Sequence, residues 1–364
     1  MKIVCTVTND LSHDQRMHRI CTTLAAAGHS VTLVGRWLPD SPPLPDRPYR
    51  QHRIRCRYRR GKRFYLEYNW RLWRTLRGWD FDYLNSVDLD TLPAGYLLDR
   101  PHWVYDAHEW FSETPEVVGR PLVRRAWQLL GRWLVPKTTA RYTVAEILSE
   151  KLSDEYGCSF GVVRSLPVRR PVPDRPPPAE KILLYQGMLN PGRGLDVAVA
   201  ALAGLPDCRL WLVGSGPEEA GLRELADRLG VGDRVTFHGF QPPDRLPAYT
   251  RAAWLGLNLL DAVSPSYYYS LANKSLDYVQ DGLPSVQMDF PEYRAINDRH
   301  DCYLILHKLA PAPLARLIES VDETRYGELR RNCARAAEVL CWEREGERLL
   351  GYFPLPRPLS EGEG

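Results

Sequence analysis

The chain has 364 residues, 44% of them hydrophobic and 26% charged, with a formal net charge of +3. That is too long for one ordinary core, so two domains are expected, and the balance is that of a soluble globular protein. No apolar run is long enough to span a bilayer, the start (Met1-Lys-Ile-Val-Cys-Thr-Val-Thr-Asn-Asp10) turns polar too early for a signal peptide, and eight scattered cysteines exclude a disulfide framework or a zinc site. The expected location is cytoplasmic, with peripheral contact at the inner face of a membrane as an option.

In chain order, residues 2–8 read as a buried strand, 15–27 as a helix ended by Gly28, and 30–35 as the next strand. A βαβ unit of this kind calls for a parallel sheet. Its first loop, Asn9-Asp-Leu-Ser-His-Asp-Gln-Arg16, lacks G-x-G-x-x-G, which argues against a nicotinamide enzyme. Loops at the carboxyl ends of such strands face the ligand crevice, so His13, Asp14 and Arg16 are candidates by position. An ordinary capped helix start is the alternative.

Between Arg47 and Arg77 the chain carries eleven arginines and Lys62 against the single acid Glu67. This stretch leads into a helix over 64–76, in which Tyr65, Leu66, Asn69, Leu72, Trp73 and Leu76 share a broad face. Basic residues with interfacial aromatics suit an anionic membrane surface. No nucleic-acid motif accompanies the charge, and no nucleic-acid partner is expected. A core-facing helix with a solvated flank is the competing reading. Strands follow at 81–85, 103–106 and 141–144. At the end of the second, Tyr105-Asp-Ala-His-Glu-Trp110, the residues Asp106, His108 and Glu109 leave the strand together. Such a cluster can orient substrate hydroxyls or share protons.

Pro167-Val-Arg-Arg-Pro-Val-Pro-Asp-Arg-Pro-Pro-Pro178 reads as a stiff linker. A second βα series begins with a strand at 181–186 and the loop Gly187-Met-Leu-Asn-Pro-Gly-Arg-Gly194, which opens a helix. Glycines let backbone N–H groups approach a phosphate, and Arg193 supplies a two-pronged cation. The Lys-Ser/Thr end of a P-loop is absent. A strand at 210–213 enters Gly214-Ser-Gly-Pro-Glu-Glu219, whose two acids would repel a pyrophosphate, so this turn reads as structural. Further strands are expected at 235–240 and 254–260.

From Ser266 to Pro284 the chain reads as a short helix, capped by Ser270, closed by Gly282 and stopped by Pro284. Ala272, Leu276 and Val279 form its buried stripe, with Asn273, Lys274 and Asp277 on the opposite face. A helix N-terminus suits a phosphate, Lys274 adds a full charge, and Asp277 can accept two hydrogen bonds from a vicinal diol. Together these describe a nucleotide; the alternative is a solvated Lys274–Asp277 pair. A long helix over 332–350, broken in character near Cys341-Trp342, precedes a tail at 354–364.

These features resemble the retaining glycosyltransferases of family 4, the group 1 glycosyltransferases, of the GT-B fold. Asn9–Arg16, Asp88-Leu-Asp-Thr-Leu92, Tyr105-Asp-Ala-His-Glu109, residues 186–194, Tyr267-Tyr-Tyr-Ser-Leu-Ala-Asn-Lys274 and Cys341-Trp-Glu343 look like one bacterial subgroup, and the likeness covers nearly the whole chain. It implies an α/β protein of two Rossmann-like domains with parallel sheets facing each other across a cleft. The acceptor domain would span 1–166, the linker 167–179 and the nucleotide-sugar domain 180–338. A C-terminal helix over 339–353 has the option of crossing back.

The resemblance further implies sugar transfer with retention from a nucleotide-sugar donor to an acceptor, a lipid-linked or cell-envelope glycan of polysaccharide biosynthesis. Arg193 takes the place of the phosphate-binding cation in the loop of Gly187, Gly192 and Gly194. Asp277 stands for the ribose-binding acid, and His238, Gly239 and Phe240 for the cradle of the base. His108 looks like the histidine that meets the transferred sugar or the acceptor. Met188 stands where many relatives carry an arginine, and Tyr269 where they carry an acid, so Lys274 and Arg16 are expected to take over the diphosphate. The catalytic set is then His108, Arg193 and Lys274. Ser270 and Asn273 join the donor site, and His13, Asp14, Asp106 and Glu109 face the acceptor. No metal and no cofactor are expected, since Asp88-Leu-Asp90, though spaced as a D-x-D, falls in the acceptor half. A sugar-nucleotide epimerase of the same fold and a non-catalytic nucleotide-sugar-binding subunit remain as alternatives.

Overall fold

Continuous apolar runs such as Ile182-Leu-Leu-Tyr185 suit strands covered on both faces, which is the environment of a parallel sheet. Every strand pairing among the described residues is parallel. The computed structural model describes residues 1–12, 14–172 and 176–354. It divides into two units, Met1–Ser165 with the segment from Glu345 onward, and Leu166–Arg344.

The first unit runs β1 (Lys2–Thr6), α1 (Gln15–Ala26), β2 (Ser30–Trp37), β3 (Arg50–Arg55), α2 (Gly61–Leu76), β4 (Tyr83–Val87) and α3 (Leu92–Leu98). It continues through β5 (His102–Ala107), α4 (Pro115–Val118), α5 (Pro121–Leu134), β6 (Ala140–Thr143), α6 (Glu146–Tyr156) and β7 (Gly161–Val162). The seven strands lie in the order β3-β2-β1-β4-β5-β6-β7. Ile3 is in register with Val31 on one side and Tyr83 on the other. The order therefore reverses between β1 and β4, where the loops after both strands open outward and a ligand crevice forms in folds of this type.

The second unit repeats the plan with β8 (Lys181–Gln186), α7 (Leu195–Ala201), β9 (Cys208–Val213), α8 (Glu219–Arg228), β10 (Val235–Gly239), α9 (Leu246–Ala252) and β11 (Leu255–Asn258). Then come α10 (Pro265–Tyr268), α11 (Asn273–Gln280), β12 (Ser285–Met288), α12 (Pro291–His300), β13 (Tyr303–Leu306), α13 (Pro311–Glu319) and α14 (Glu323–Ala337); the last helix, α15 (Trp342–Leu350), starts in this unit and from Glu345 belongs to the first. The order is β10-β9-β8-β11-β12-β13, so the reversal falls between β8 and β11.

Four elements depart from the sequence expectation. The basic stretch contains β3, an edge strand whose Arg50-Gln-His-Arg-Ile-Arg55 buries only Ile54. Helix α2 turns Phe64, Tyr68, Asn69, Leu72 and Leu76 inward, while Leu66, expected on the shared face, is exposed. The organising helix begins at Asn273 rather than at Ser270, because the separate turn α10, capped by the Ser264 side chain, occupies the preceding residues. The C-terminal helix is two helices, α14 and α15, divided at the expected break.

Pro167–Val172 of the proline-rich segment lies along the second unit. The Trp342 N–H donates to the Pro167 carbonyl at 2.8 Å, the Arg170 N–H to Gln280 Oε1 at 3.2 Å, and the Arg169 N–H to the Glu343 carboxylate at 3.1 Å. Pro173–Arg175 of the expected linker fall outside the described residues. Gln280 Nε2 donates to the Ala337 and Leu340 carbonyls at 2.8 and 2.9 Å, satisfying acceptors that the end of α14 leaves open. No helix among the described residues is long and apolar enough to cross a membrane.

Candidate functional site

The second unit places a pair of cations at its strand-order reversal. Helix α11 is fixed there by Tyr278, whose hydroxyl donates to the Leu184 carbonyl of β8 at 3.1 Å and accepts the Gln186 N–H at 3.3 Å. A Cβ at Gly256 of β11 would run into the Tyr278 ring, so the helix seats directly on the sheet. One turn earlier, Lys274 carries its Nζ 3.9 Å from the centre of the Tyr185 ring. A Cβ at Gly187 would stand 3.5 Å from that same Nζ. Gly187 lies at φ +131°, a backbone region that side chains rarely adopt.

Arg193 reaches the same place from the other end of the loop, its guanidinium carbon 4.6 Å from the centre of the Tyr267 ring. The Asp261 N–H donates to the Gly192 carbonyl at 2.9 Å, and a Cβ at Gly194 would collide with the Leu259 carbonyl. The loop after β8 is thus clasped to the segment after β11. Gly214 and Gly216 play a packing role, since a Cβ on either would strike the backbone carbonyl of Gly187 or Leu189. This accords with the structural reading of the Gly-Ser-Gly turn.

Among the described residues, neither Arg193 nor Lys274 has a carboxylate partner, and Arg193 Nε is buried without a hydrogen bond. Burial, reinforced by the neighbouring Arg193 charge, holds the Lys274 ammonium well below the ordinary lysine range. Two adjacent cations with no carboxylate counter-ion, Arg193 on the glycine-rich loop and Lys274 on α11, form a site poised for a multiply charged anion, although the Gly187 and Leu189 N–H groups of that loop are taken by the Val213 and Ser215 carbonyls at 2.9 and 3.0 Å.

The remaining donor-side candidates divide. Asp277 lies one turn beyond Lys274, half-buried, with Arg170 Nη2 3.8 Å from its carboxylate. Asn273 is exposed in the first turn of α11. Ser270 does not cap that helix: its hydroxyl donates to the Tyr267 carbonyl at 2.9 Å, and its N–H reaches the same oxygen at 3.3 Å. The Ala272 N–H, just before the helix, donates to Tyr293 Oη at 3.0 Å. In the expected base cradle Gly239 has φ +65° and accepts the Gly214 N–H at 2.8 Å, and Phe240 is exposed. The His238 ring packs edge-on against Trp211 and Tyr249, and burial lowers its pKa.

In the first unit a second cluster forms where β1, β4 and β5 end. The Thr8 hydroxyl donates to Asp90 at 2.7 Å, and Asp88, at φ +55°, accepts the His108 N–H at 2.9 Å. Fully buried Asp106 takes Arg16 Nη2 on one oxygen at 2.9 Å and His108 Nε2 on the other at 3.1 Å. Burial alone would raise the Asp106 pKa, but the Arg16 and His108 charges outweigh it and hold it at about 2. Burial likewise opposes the His108 charge, and Asp106 reverses the sign, bringing His108 to about 9. His108 is therefore an imidazolium at neutral pH, able to donate but not to accept a proton. Burial raises Asp88 well above the carboxylate range and Asp90 to about 6.

This arrangement corrects two expectations. Arg16 belongs to the first unit, where its guanidinium donates to Asp106 and to the Val163 carbonyl at 2.9 Å. Asp106 is too deeply buried to face an acceptor and instead positions His108. Asp14 is the helix cap of the competing reading, with one oxygen on the Met17 N–H at 2.9 Å and the other on Asn9 Nδ2 at 2.6 Å. His13 lies outside the described residues, and Glu109 is exposed beside His108. The sequence reading missed Tyr185 and Tyr267, the rings beneath the two cations, and Thr8. It noted Asp88 and Asp90 for their spacing and as part of a segment carrying the family resemblance, without giving either a role in the site. No group of three or more His, Cys, Asp or Glu among the described residues could hold a metal ion.

Two Rossmann-like units, each with polar loops at its strand-order reversal, define the GT-B class of glycosyltransferase folds. The chain belongs to the group 1, family 4 glycosyltransferases: residues 172–339 match the family described as glycosyl transferases group 1, and residues 14–167 match glycosyltransferase family 4. A D-inositol 3-phosphate glycosyltransferase of Segniliparus rotundus is 38% identical over 84 residues, 21% of this chain and 19% of that protein. The chain aligns with only 19% to 41% of the length of this and the similarly named relatives from Nocardia farcinica, Mycolicibacterium smegmatis and Rhodococcus erythropolis. Among solved structures, sucrose-phosphate synthase from Thermosynechococcus elongatus superposes with a TM-score of 0.79 at 19% identity, covering 97% of this chain and 98% of that one. Anabaena Alr3699/HepE, in complex with UDP and glucose, gives 0.75 at 15% identity, covering 97% and 99%. At these identities the two superpositions establish the fold alone.

Proposed function

We propose that this chain transfers a sugar from a nucleotide-sugar donor to an acceptor hydroxyl, with retention at the anomeric carbon and without a metal. The observation that carries the reading is the pair Arg193 and Lys274, two neighbouring cations beside a glycine-rich loop with no carboxylate to neutralise them. A diphosphate supplies the missing charge. Cleavage of the sugar–phosphate bond concentrates negative charge on the departing diphosphate, so fixed cations stabilise the transition state more than the ground state. The acceptor oxygen bonds to the anomeric carbon as the bond to phosphate oxygen breaks, and the acceptor proton passes to the leaving phosphate on the same face. His108, held charged by Asp106, donates to a hydroxyl of the transferred sugar or of the acceptor. Asp277 is the ribose ligand, in a position where Arg170 already steadies its charge.

Uridine is the first base to test, because HepE was solved in complex with UDP and glucose. The proposed acceptor is a lipid-linked or envelope glycan reached from the cytoplasm. The test is calorimetric titration of UDP together with product analysis. Arg193→Ala and Lys274→Ala should each weaken UDP binding about ten- to a hundredfold, the loss of a charge-assisted hydrogen bond worth roughly 1.5–3 kcal/mol. NMR of the product should show the anomeric configuration of the donor. Unchanged UDP affinity in both variants would sink the assignment, and release of an epimerised donor in the absence of acceptor would replace transfer with epimerisation.

A further inference from the structure

The face of the first unit formed by α2, α3 and α5 leaves large apolar side chains in water. Leu66 and Trp70 of α2 are 73% and 49% exposed, and Leu122, Leu129 and Trp133 of α5 are 85%, 58% and 52% exposed. Positions 122, 129 and 133 recur at helical spacing, so α5 turns a continuous apolar stripe outward, with exposed Arg125 and Arg132 flanking it. The three helices form one layer. The Tyr65 ring of α2 meets the Trp127 ring of α5 edge-on at 5.2 Å, and exposed Tyr96 of α3 meets Trp133 at 5.0 Å. Lys137 stands over both of the latter rings. A surface in which contiguous apolar groups are interleaved with cations is an interaction site rather than ordinary exposure.

Its charge is almost entirely of one sign. Across α2, α3 and α5 the sole acid is Glu67, and its carboxylate is occupied by the Arg71 side chain and by the Arg57 and Tyr58 N–H groups. Against it stand Lys62, Arg63, Arg74, Arg77, Arg125 and Arg132, all exposed. Beside Trp70, between β3 and α2, runs a groove of about 350 Å³ lined by Arg53, Arg55, Arg71 and Arg74. Arg53 donates to the Asp10 and Pro42 carbonyls and the Ser12 hydroxyl, and its charge acts on the Asp10 carboxylate; among the described residues Glu67 is the one carboxylate in a salt bridge with this set.

We propose that the α2–α3–α5 face docks on an anionic phospholipid bilayer, with Leu66, Trp70, Leu122, Leu129 and Trp133 entering the headgroup–acyl boundary and the arginine groove receiving a lipid phosphate. A second copy of the chain fits poorly, because apposed faces would set the cations of one copy against those of the other, and Glu67, the sole acid within the three helices, is already occupied. A nucleic acid would satisfy the arginines but leave the leucines in water. Interfacial binding needs both features at once, an apolar face and a cationic one. This surface differs from the one expected in sequence, where Asn69, Leu72 and Leu76, which prove buried, were part of the interfacial face.

The test is co-sedimentation of the full chain with phosphatidylcholine vesicles, with and without phosphatidylglycerol, at low and high salt. Binding should require the anionic lipid and weaken with salt. Leu129→Ser/Trp133→Ser should reduce it at every salt concentration, and Arg55→Ala/Arg74→Ala should reduce it chiefly at low salt, by about fivefold per arginine. Unchanged UDP affinity in both variants shows that they fold, and Lys274→Met should bind vesicles as the wild type does, so loss of the donor-site reading leaves this one standing. Equal binding to neutral vesicles, no binding to either, or tighter binding to RNA than to anionic vesicles would overturn the proposal. So would a concentration-dependent dimer that Leu129→Ser/Trp133→Ser abolishes.

Discussion

Lys274→Met tests the donor site through two effects of opposite sign. In the free protein the Lys274 ammonium is partly desolvated and faces Arg193 without a counter-ion, which is why its pKa is depressed. Methionine keeps the length of the stem over the Tyr185 ring, a distance of 3.9 Å in the native chain, and removes the charge. The variant should melt at or above the wild-type temperature and lose about ten- to a hundredfold in UDP affinity, from the roughly 1.5–3 kcal/mol of a charge-assisted hydrogen bond. The pH dependence adds a second signature. A lysine whose folded pKa lies below its unfolded value binds fewer protons when folded, so stability rises with pH between the depressed value and 10.5, and methionine abolishes that rise. Calorimetric melting from neutral to alkaline pH gives both signs. A diphosphate should also raise the Lys274 pKa, so UDP binding should take up a proton in the same window, measured by titration in buffers of different ionisation enthalpy. A variant that melts lower and binds UDP as tightly as wild type would refute the reasoning, because the charge would then serve the fold and not the ligand.

His108 and Asp106 define a pH window. His108 is raised to about 9, so its contribution is full below 6.5 and lost as pH rises through 9; Asp106 at about 2 contributes above 3.8 and loses its share as pH falls through 2. His108→Gln should flatten the alkaline fall in melting temperature, with roughly 3 kcal/mol as the most that a shift of this size can supply. Arg16→Met leaves Asp106 buried with one partner and should cost about 3–5 kcal/mol in chemical denaturation, part of which Arg16→Met/Asp106→Asn recovers. Gly214→Ala should destabilise the protein and weaken UDP binding together, since its Cβ would push on the Gly187 carbonyl beneath Lys274. Gly230→Ala, where nothing lies within 4 Å, should cost only about 1 kcal/mol and leave UDP affinity unchanged.

Legibility in the sequence followed the strength of the local signal. The strand at Lys181–Gln186 and the glycine loop after it were readable because apolar runs and positive-φ glycines are properties of the local chain. Strand β3 was hidden because an edge strand pairs on one side only and Arg50–Arg55 buries a single apolar residue. Strands β12 and β13 are four residues each, and Gln287 of β12 is buried only because Asn258 of β11 donates to it at 2.7 Å, a partner that no local pattern discloses. Arg193 and Lys274 were each legible as cations within their own segments. The Arg16–Asp106 pair was not legible, because the two lie ninety positions apart and only the β1–β4–β5 pairing brings them together.

The two units share a strand order but treat charge in opposite ways at the same topological point, and that difference bears on where bond cleavage is assisted. In the first unit each charge is answered: Arg16 and His108 hold Asp106, the Thr8 hydroxyl holds Asp90, and the imidazolium is fixed in one state across the neutral range. Such a cluster can orient a hydroxyl and resist a changing field, but it has little free charge to stabilise a departing anion. In the second unit Arg193 and Lys274 have no carboxylate partner among the described residues, and burial together with their mutual repulsion depresses the Lys274 pKa. On the proposed function, a bound diphosphate would relieve part of that repulsion and the additional charge of bond cleavage more, which would make the unit with the less comfortable electrostatics the one that lowers the barrier. On the same proposed function, orientation of the incoming hydroxyl would fall to the unit whose charges are already satisfied.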